Sequence, residues 1–110
     1  MARTWHEDAV WEEPPGFPDA GTRRGREAIF SRMRDRFEFI GMVGLEIAEV
    51  EEIGDRLYAD VIVRGRGPSS GAPAQMHSFW VYDYADDGSV ILWREFLDRD
   101  AALAAARRGE

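Results

Sequence analysis

Glu13 closes the run Ala9-Val10-Trp11-Glu12-Glu13, and Pro14 and Pro15 stop it. A carboxylate at the end of such an apolar-leaning stretch can project into an enclosed space instead of into water. A second acid of the same kind is Glu95, inside Trp93-Arg94-Glu95-Phe96-Leu97. Strand alternation puts Trp93, Glu95 and Leu97 on one face and Arg94 and Phe96 on the other. A carboxyl on an apolar wall is costly to ionise, which brings its proton exchange toward neutral pH. Two such groups in one cavity titrate as a pair, one holding a proton to donate while the other accepts. Proton transfer on a small carbonyl compound requires that division of labour. Glu13 and Glu95 are therefore the candidate acid–base residues. Each also has a structural alternative: Glu13 as a solvated strand end beside Glu12, Glu95 as the partner of an arginine.

A cavity that holds these acids needs apolar walls. Trp11, Ala59, Val61, Trp80 and Trp93 are the candidate lining, and Ser78 and Tyr82 share the parity of Trp80 and offer polar contacts. An indole N–H donates a hydrogen bond but takes no part in proton exchange. His77 has the opposite parity, which places it on the outer sheet face as a candidate dimer contact; His6 is expected at the surface. Two distant histidines and no cysteine argue against a metal site, a thiol nucleophile or a disulfide. No cofactor is expected. Arg23, Arg24, Arg26, Arg32, Arg34 and Arg36 form a local basic cluster, read as a solvated face paired with Glu27, Asp35 and nearby acids. Asp86-Asp87 belongs to a turn.

The elements that would position these groups follow from periodicity. Residues 3–8 read as a turn or helix end and 9–13 as a short strand. Pro14 to Arg24 is a Pro/Gly-rich loop. A helix spans Arg26 to Phe39, with Ile29, Met33, Phe37 and Ile40 on one apolar face and Arg32, Asp35 and Arg36 on the other. Val43, Leu45 and Ile47 alternate, and a phase shift before Val50 and Ile53 signals a bulge. Leu57, Ala59, Val61 and Val63 form the apolar face of the clearest strand. A loop covers 65–74, a strand 76–84, a tight turn 85–88, and a strand 90–97 that pairs with it as a hairpin. Asp98 or Asp100 caps a final helix through Arg107. Strands grouped after a helix give an α+β fold: a cone-shaped, curved antiparallel sheet wrapped around a helix.

The chain has 110 residues, enough for one domain, 1–110, with a single core. Hydrophobic residues make up 45 % of it, which excludes a disordered chain. A formal net charge of -7 disfavours nucleic acid as a partner. No apolar run approaches the roughly 20 residues that span a bilayer, and no signal-peptide pattern opens the chain. The expectation is a cytoplasmic protein without a membrane partner.

Several pieces, in order, resemble one family. These are Asp8-Ala9-Val10-Trp11-Glu12-Glu13-Pro14, Arg24-Gly25-Arg26-Glu27-Ala28-Ile29, the turn ending in Asp87-Gly88, and Trp93-Arg94-Glu95-Phe96-Leu97-Asp98. The set resembles the SnoaL-like proteins of the NTF2-like superfamily, which includes ketosteroid isomerases, polyketide cyclases and limonene epoxide hydrolases. The resemblance implies a cystatin-like α+β barrel with an apolar cavity, commonly dimerised through the outer sheet face. It also implies a first helix, carrying a pocket tyrosine in ketosteroid isomerases; the sequence begins too late to hold it. Glu13 then matches the proton-shuttling aspartate of ketosteroid isomerases, and Trp80 falls where those enzymes carry a second acid. Glu95 is similar to the pocket aspartate of the epoxide hydrolases, but Val61 and Val63 stand where an arginine and an aspartate would be expected. The functional expectation is a protein with a pocket for a small hydrophobic molecule. As an enzyme it would be a cofactor-independent isomerase, cyclase or dehydratase. The alternative is a non-catalytic ligand-binding or dimerisation module, since one superfold hosts many activities.

Overall fold

A computed structural model describes residues 5–17, 19–39, 41–66 and 71–108, without the side chains of Met42 and Val43. Ile40 of the expected helical stripe and positions 67–70 of the expected loop lie outside the described residues. The elements in chain order are β1 (Trp5–Glu12), β2 (Thr22–Arg24), α1 (Arg26–Phe39), β3 (Met42–Ile53), β4 (Arg56–Arg66), β5 (Pro73–Tyr84), β6 (Val90–Phe96) and α2 (Arg99–Arg107). The strands form one six-stranded sheet in the order β2-β1-β6-β5-β4-β3. It is a curved α+β architecture, as the sequence pattern implies.

Three local expectations need correction. Residues 5–8 are strand, not turn or helix end, because β1 pairs with β6 from Trp5 onward. That pairing is parallel, so the sheet is not wholly antiparallel. The chain reaches β6 only through four intervening strands and a helix, a separation that permits parallel pairing. Thr22–Arg24 lies in the expected loop but adds a short antiparallel edge to β1, with Val10 opposite Arg24 and Glu12 opposite Thr22. The chain leaves the sheet after Glu12, at the prolines 14 and 15, and returns at Thr22, where backbone groups pair again. Gly21 accepts from the Glu13 amide at 3.1 Å and Ala9 from the Gly25 amide at 2.7 Å.

The expected bulge is present as a register shift between Ile47 and Glu49 in the β3–β4 ladder. Alternation on β4 and β5 then divides the core. Tyr58, Phe79 and Val81 pack on Ala102, Leu103 and Ala106 of α2. Their neighbours point the other way: Ala59, Val61 and Val63 form one inner cluster with Trp80 and Met76, and Ala9, Trp11 and Trp93 form a second with Ile29 of α1. We call the α1 side the inner face and the α2 side the outer face. The Asp98 carboxylate accepts from the Ala101 amide at 2.8 Å and so caps α2. Gly41 joins α1 to β3 at φ 59°, where a Cβ would stand 2.6 Å from the Arg66 carbonyl oxygen, so no other residue fits without a backbone shift. No helix among the described residues is long and apolar enough to cross a membrane.

Candidate functional site

Glu13 sits where β1 ends, and its side chain is 0 % exposed. Burying a carboxylate there is tolerable only because cations surround it. Arg23 Nε donates to Oε1 at 2.9 Å, and Arg32 Nε donates to Oε2 at 3.0 Å and to Oε1 at 3.2 Å. Arg36 Nη1 reaches Oε2 at 3.4 Å. The same Arg36 grips Glu95 in the bidentate manner of a guanidinium fork, Nη1 to Oε1 at 2.6 Å and Nη2 to Oε2 at 2.9 Å. Two further donors complete Glu95: Trp11 Nε1 to Oε1 at 3.2 Å and Ser78 Oγ to Oε2 at 2.7 Å. Trp80 Nε1 in turn donates to Ser78 Oγ at 2.8 Å. The Arg36 guanidinium also lies 3.8 Å from the Phe17 ring centroid and 5.0 Å from that of Trp11.

The expected solvated face on α1 is therefore corrected at Arg36, and in part at Arg32 and Arg23. Arg32 and Arg36 are one turn apart, so both project from the same side of the helix. That side faces the two acids, and the cost of leaving those acids bare outweighs the preference of arginine for water. Arg36 stands between Glu13 and Glu95 and donates to both carboxylates.

Aromatic rings occupy most of the space beside Glu95. Trp11 and Trp93 stack at 4.1 Å with an interplanar angle of 3°. Trp80 meets Trp93 edge-on at 5.0 Å, and Tyr82 does so at 6.1 Å. Burial holds the Tyr82 phenol above its usual range, and the charges of Tyr84 and Glu95 add to the effect. What stays open is a slot of about 30 Å³. Of the residues named from the sequence, Trp11, Ser78, Trp80, Trp93 and Glu95 line it. Glu13, Ala59, Val61 and Tyr82 do not; Glu13 lies beyond Arg36, and the other three are packed in the surrounding core. Arg36, Phe37, Leu45, Val63 and Met76 also line the slot and escaped the sequence reading. One signal for Arg36 was available: two inward acids require a cation, and α1 is the element that crosses them. Val63 and Met76 also border a shallower hollow of about 150 Å³. Larger open depressions of about 310 and 360 Å³ surround Gly54 and Asp55 of the β3–β4 turn and share no residue with the slot.

The family model of the SnoaL-like domain matches residues 1–93. No curated protein matches the chain. Among solved structures, Bal32a from a soil-derived mobile gene cassette is similar at 24 % identity and TM-score 0.72, over 94 % of this chain and 79 % of that one. A protein with a ketosteroid isomerase-like fold from Catenulispora acidiphila, in complex with trimethylamine, is 15 % identical with TM-score 0.71, over 93 % and 75 % of the two chains. TerC, co-crystallised with polyporic acid, is 22 % identical with TM-score 0.65, over 93 % and 79 %. At these identities the likeness concerns the fold.

Proposed function

Because the chain belongs to the SnoaL-like domain family, we propose that it binds a small, mainly apolar molecule between α1 and the inner sheet face. The ligand's polar end would point at the Arg36–Glu95–Ser78 group. One observation carries this reading: a fully hydrogen-bonded ion network lies at the blind end of an apolar slot. Such a network contributes less to stability than well-packed apolar side chains of the same volume, so stability alone does not account for it. An apolar recess with a few convergent polar groups is the usual form of a small-molecule site.

The slot admits only the tip of a ligand. Its mouth is made by Phe37, Leu45 and Met76, and methionine repacks easily. Leu45 is 41 % and Ile47 is 60 % exposed on β3, an apolar shelf on which the rest of the molecule would lie. The co-crystallisation of TerC, a protein similar to this chain, with polyporic acid is compatible with this reading. Binding is favoured over acid–base catalysis because four donors already engage the Glu95 oxygens. A cofactor-free acid–base role is the second reading, favoured by the Ser78 hydroxyl. It lies at the slot and donates to Glu95, so it offers a path for a proton between ligand and carboxylate.

Titration of the intrinsic tryptophan fluorescence with hydrophobic carbonyl compounds tests the reading. Saturable quenching is expected. Val63→Phe, which fills the slot, should weaken it roughly tenfold or more while the circular dichroism spectrum stays unchanged. Quenching that never saturates, or that ignores the plug, would remove the slot as a site.

A further inference from the structure

Three large apolar side chains stay in the open on one strand. Leu45 is 41 %, Ile47 is 60 % and Val50 is 55 % exposed, all on β3 at the edge of the sheet. They stand opposite Val63, Val61 and Ala59 of β4, which are inner-face residues, so they share the face that carries the slot. Strict alternation from Leu45 and Ile47 would bring Glu49 to that face. The register shift between Ile47 and Glu49 sets Glu49 beside Asp60 on the other face and gives the inner position to Val50. The next inner position, opposite Leu57, is Glu52. The row thus begins at Leu45, which also lines the slot, and ends at a carboxylate.

Scattered exposed apolar residues need no explanation, but a continuous row leading out of a recess does. Its width indicates what it fits. The β4 partners are at most 9 % exposed and pack with Trp80 and Met76, so only the β3 row is open. A helix buries a face roughly 100° wide or more, several side chains across, and a single row gives it no seat. An extended hydrocarbon chain is one side chain wide. From Leu45 to Val50 the row runs roughly 13–17 Å, at about 3.3 Å per residue and allowing for the bulge. An extended carbon chain advances about 1.25 Å per bond, so the row matches about ten to thirteen bonds.

We infer that the ligand class of the slot is an unbranched alkyl chain with one small polar end. The polar end enters the slot, and the chain lies along Leu45, Ile47 and Val50 and stops short of Glu52. This rests on the slot being a ligand site. The row removes water from one side of the chain, so each methylene on it should raise affinity about twofold, roughly half of the full transfer effect.

Methyl butyl, methyl hexyl, methyl octyl and methyl decyl ketone, titrated against the full chain by tryptophan fluorescence, test it. Affinity should rise roughly 50-fold from the butyl to the decyl compound. Methyl adamantyl ketone, which folds as many carbons as decyl into a compact cage, should bind at least about tenfold more weakly than methyl decyl ketone. Ile47→Glu should end the rise at a shorter chain than Val50→Glu does. Both positions are more than half exposed, so both variants should keep the circular dichroism spectrum of the unmodified chain. Saturable binding that does not change with chain length, or a rise that neither variant interrupts, overturns the alkyl class and leaves the slot as a site. Equal binding of the adamantyl and decyl ketones does the same. A dimer in sedimentation that Ile47→Glu dissolves would make the row an interface between copies and overturn the inference too. Failure of every ketone to quench saturably overturns both the inference and the slot.

Discussion

Under α2, the outer face of the sheet packs Tyr58, Phe79 and Val81 against Ala102, Leu103 and Ala106. Under α1, the inner face buries Glu13, Arg36 and Glu95 among the rings of Trp11, Trp80 and Trp93. α2 docks mainly through apolar side chains, beside one buried guanidinium, Arg56, which donates to the Ala106 carbonyl at 3.4 Å and to Asp83 at 2.9 Å; α1 docks through Ile29 and through guanidinium groups aimed at two buried acids. The outer arrangement rests chiefly on dispersion and the hydrophobic effect, with the Arg56–Asp83–Arg94 group at its edge. The inner arrangement carries desolvation costs that hydrogen bonds must offset one by one. A domain that needed only a core has no reason to build its second face differently from its first. The contrast agrees with the ligand site proposed on the inner face.

The largest effect should come from removing the shared cation. Arg36→Met keeps an apolar stem against Phe17 but leaves Glu95 with only Trp11 and Ser78 as donors. A buried carboxylate stripped of its ion partner costs about 3–5 kcal/mol. Urea denaturation should show that loss, and the double variant Arg36→Met with Glu95→Gln should recover much of it. If the single variant loses under 1 kcal/mol, the inner face is no more ion-dependent than the outer one and the comparison collapses.

Leu103→Ala probes the other side. Leu103 is nearly buried against the sheet, and its truncation should cost about 2–3 kcal/mol, the low end for a core leucine because α2 can settle toward the sheet. The sheet separates Leu103 from Arg36, so the two losses should add within about 0.5 kcal/mol. A larger coupling would show the two faces to be one cooperative unit.

Much of the architecture was legible because its signals are local. The α1 boundaries, the bulge near Ala48, the Asp98 cap and the alternation on β4 follow from period, turn chemistry and capping, and each appears in the structure. What stayed hidden depends on partners far apart in sequence. The parallel β1–β6 ladder leaves no periodic trace, and β2 is too short to show one. At the site, Glu95 and Trp11 could be placed by parity, but the role of Arg36 could not. On a helical wheel it belongs with the charged residues, and only the two acids delivered by β1 and β6 draw it inward. The slot's size was equally illegible, since it depends on how completely the Trp11–Trp93 stack and Trp80 fill the concave face.

The finest distinction between the faces lies in their tyrosines. Burial raises both phenols, Tyr82 on the inner face and Tyr58 on the outer. For Tyr82 the anionic charges of Tyr84 and Glu95 push in the same direction as burial. For Tyr58 the Arg99 cation opposes burial, although Asp60 and Glu49 act with it. A phenol raised in the folded state contributes stability that is fully present below its unfolded pKa of about 10. That stability is lost as pH rises, because the unfolded chain releases the proton first. Over the first pH unit above that point, Tyr82 alone should account for a loss of about 1 kcal/mol. Urea midpoints of the unmodified chain and of Tyr82→Phe should therefore run parallel below pH 10 and converge or cross above it, the variant declining less steeply. Tyr58→Phe should follow the same course, but its line should become parallel to that of the unmodified chain again at a lower pH, because the Arg99 cation lets that phenol ionise sooner in the folded protein. Identical alkaline slopes for all three proteins would mean that neither face keeps its phenol dry, and a steeper relief from Tyr58→Phe than from Tyr82→Phe would reverse the order of the two faces.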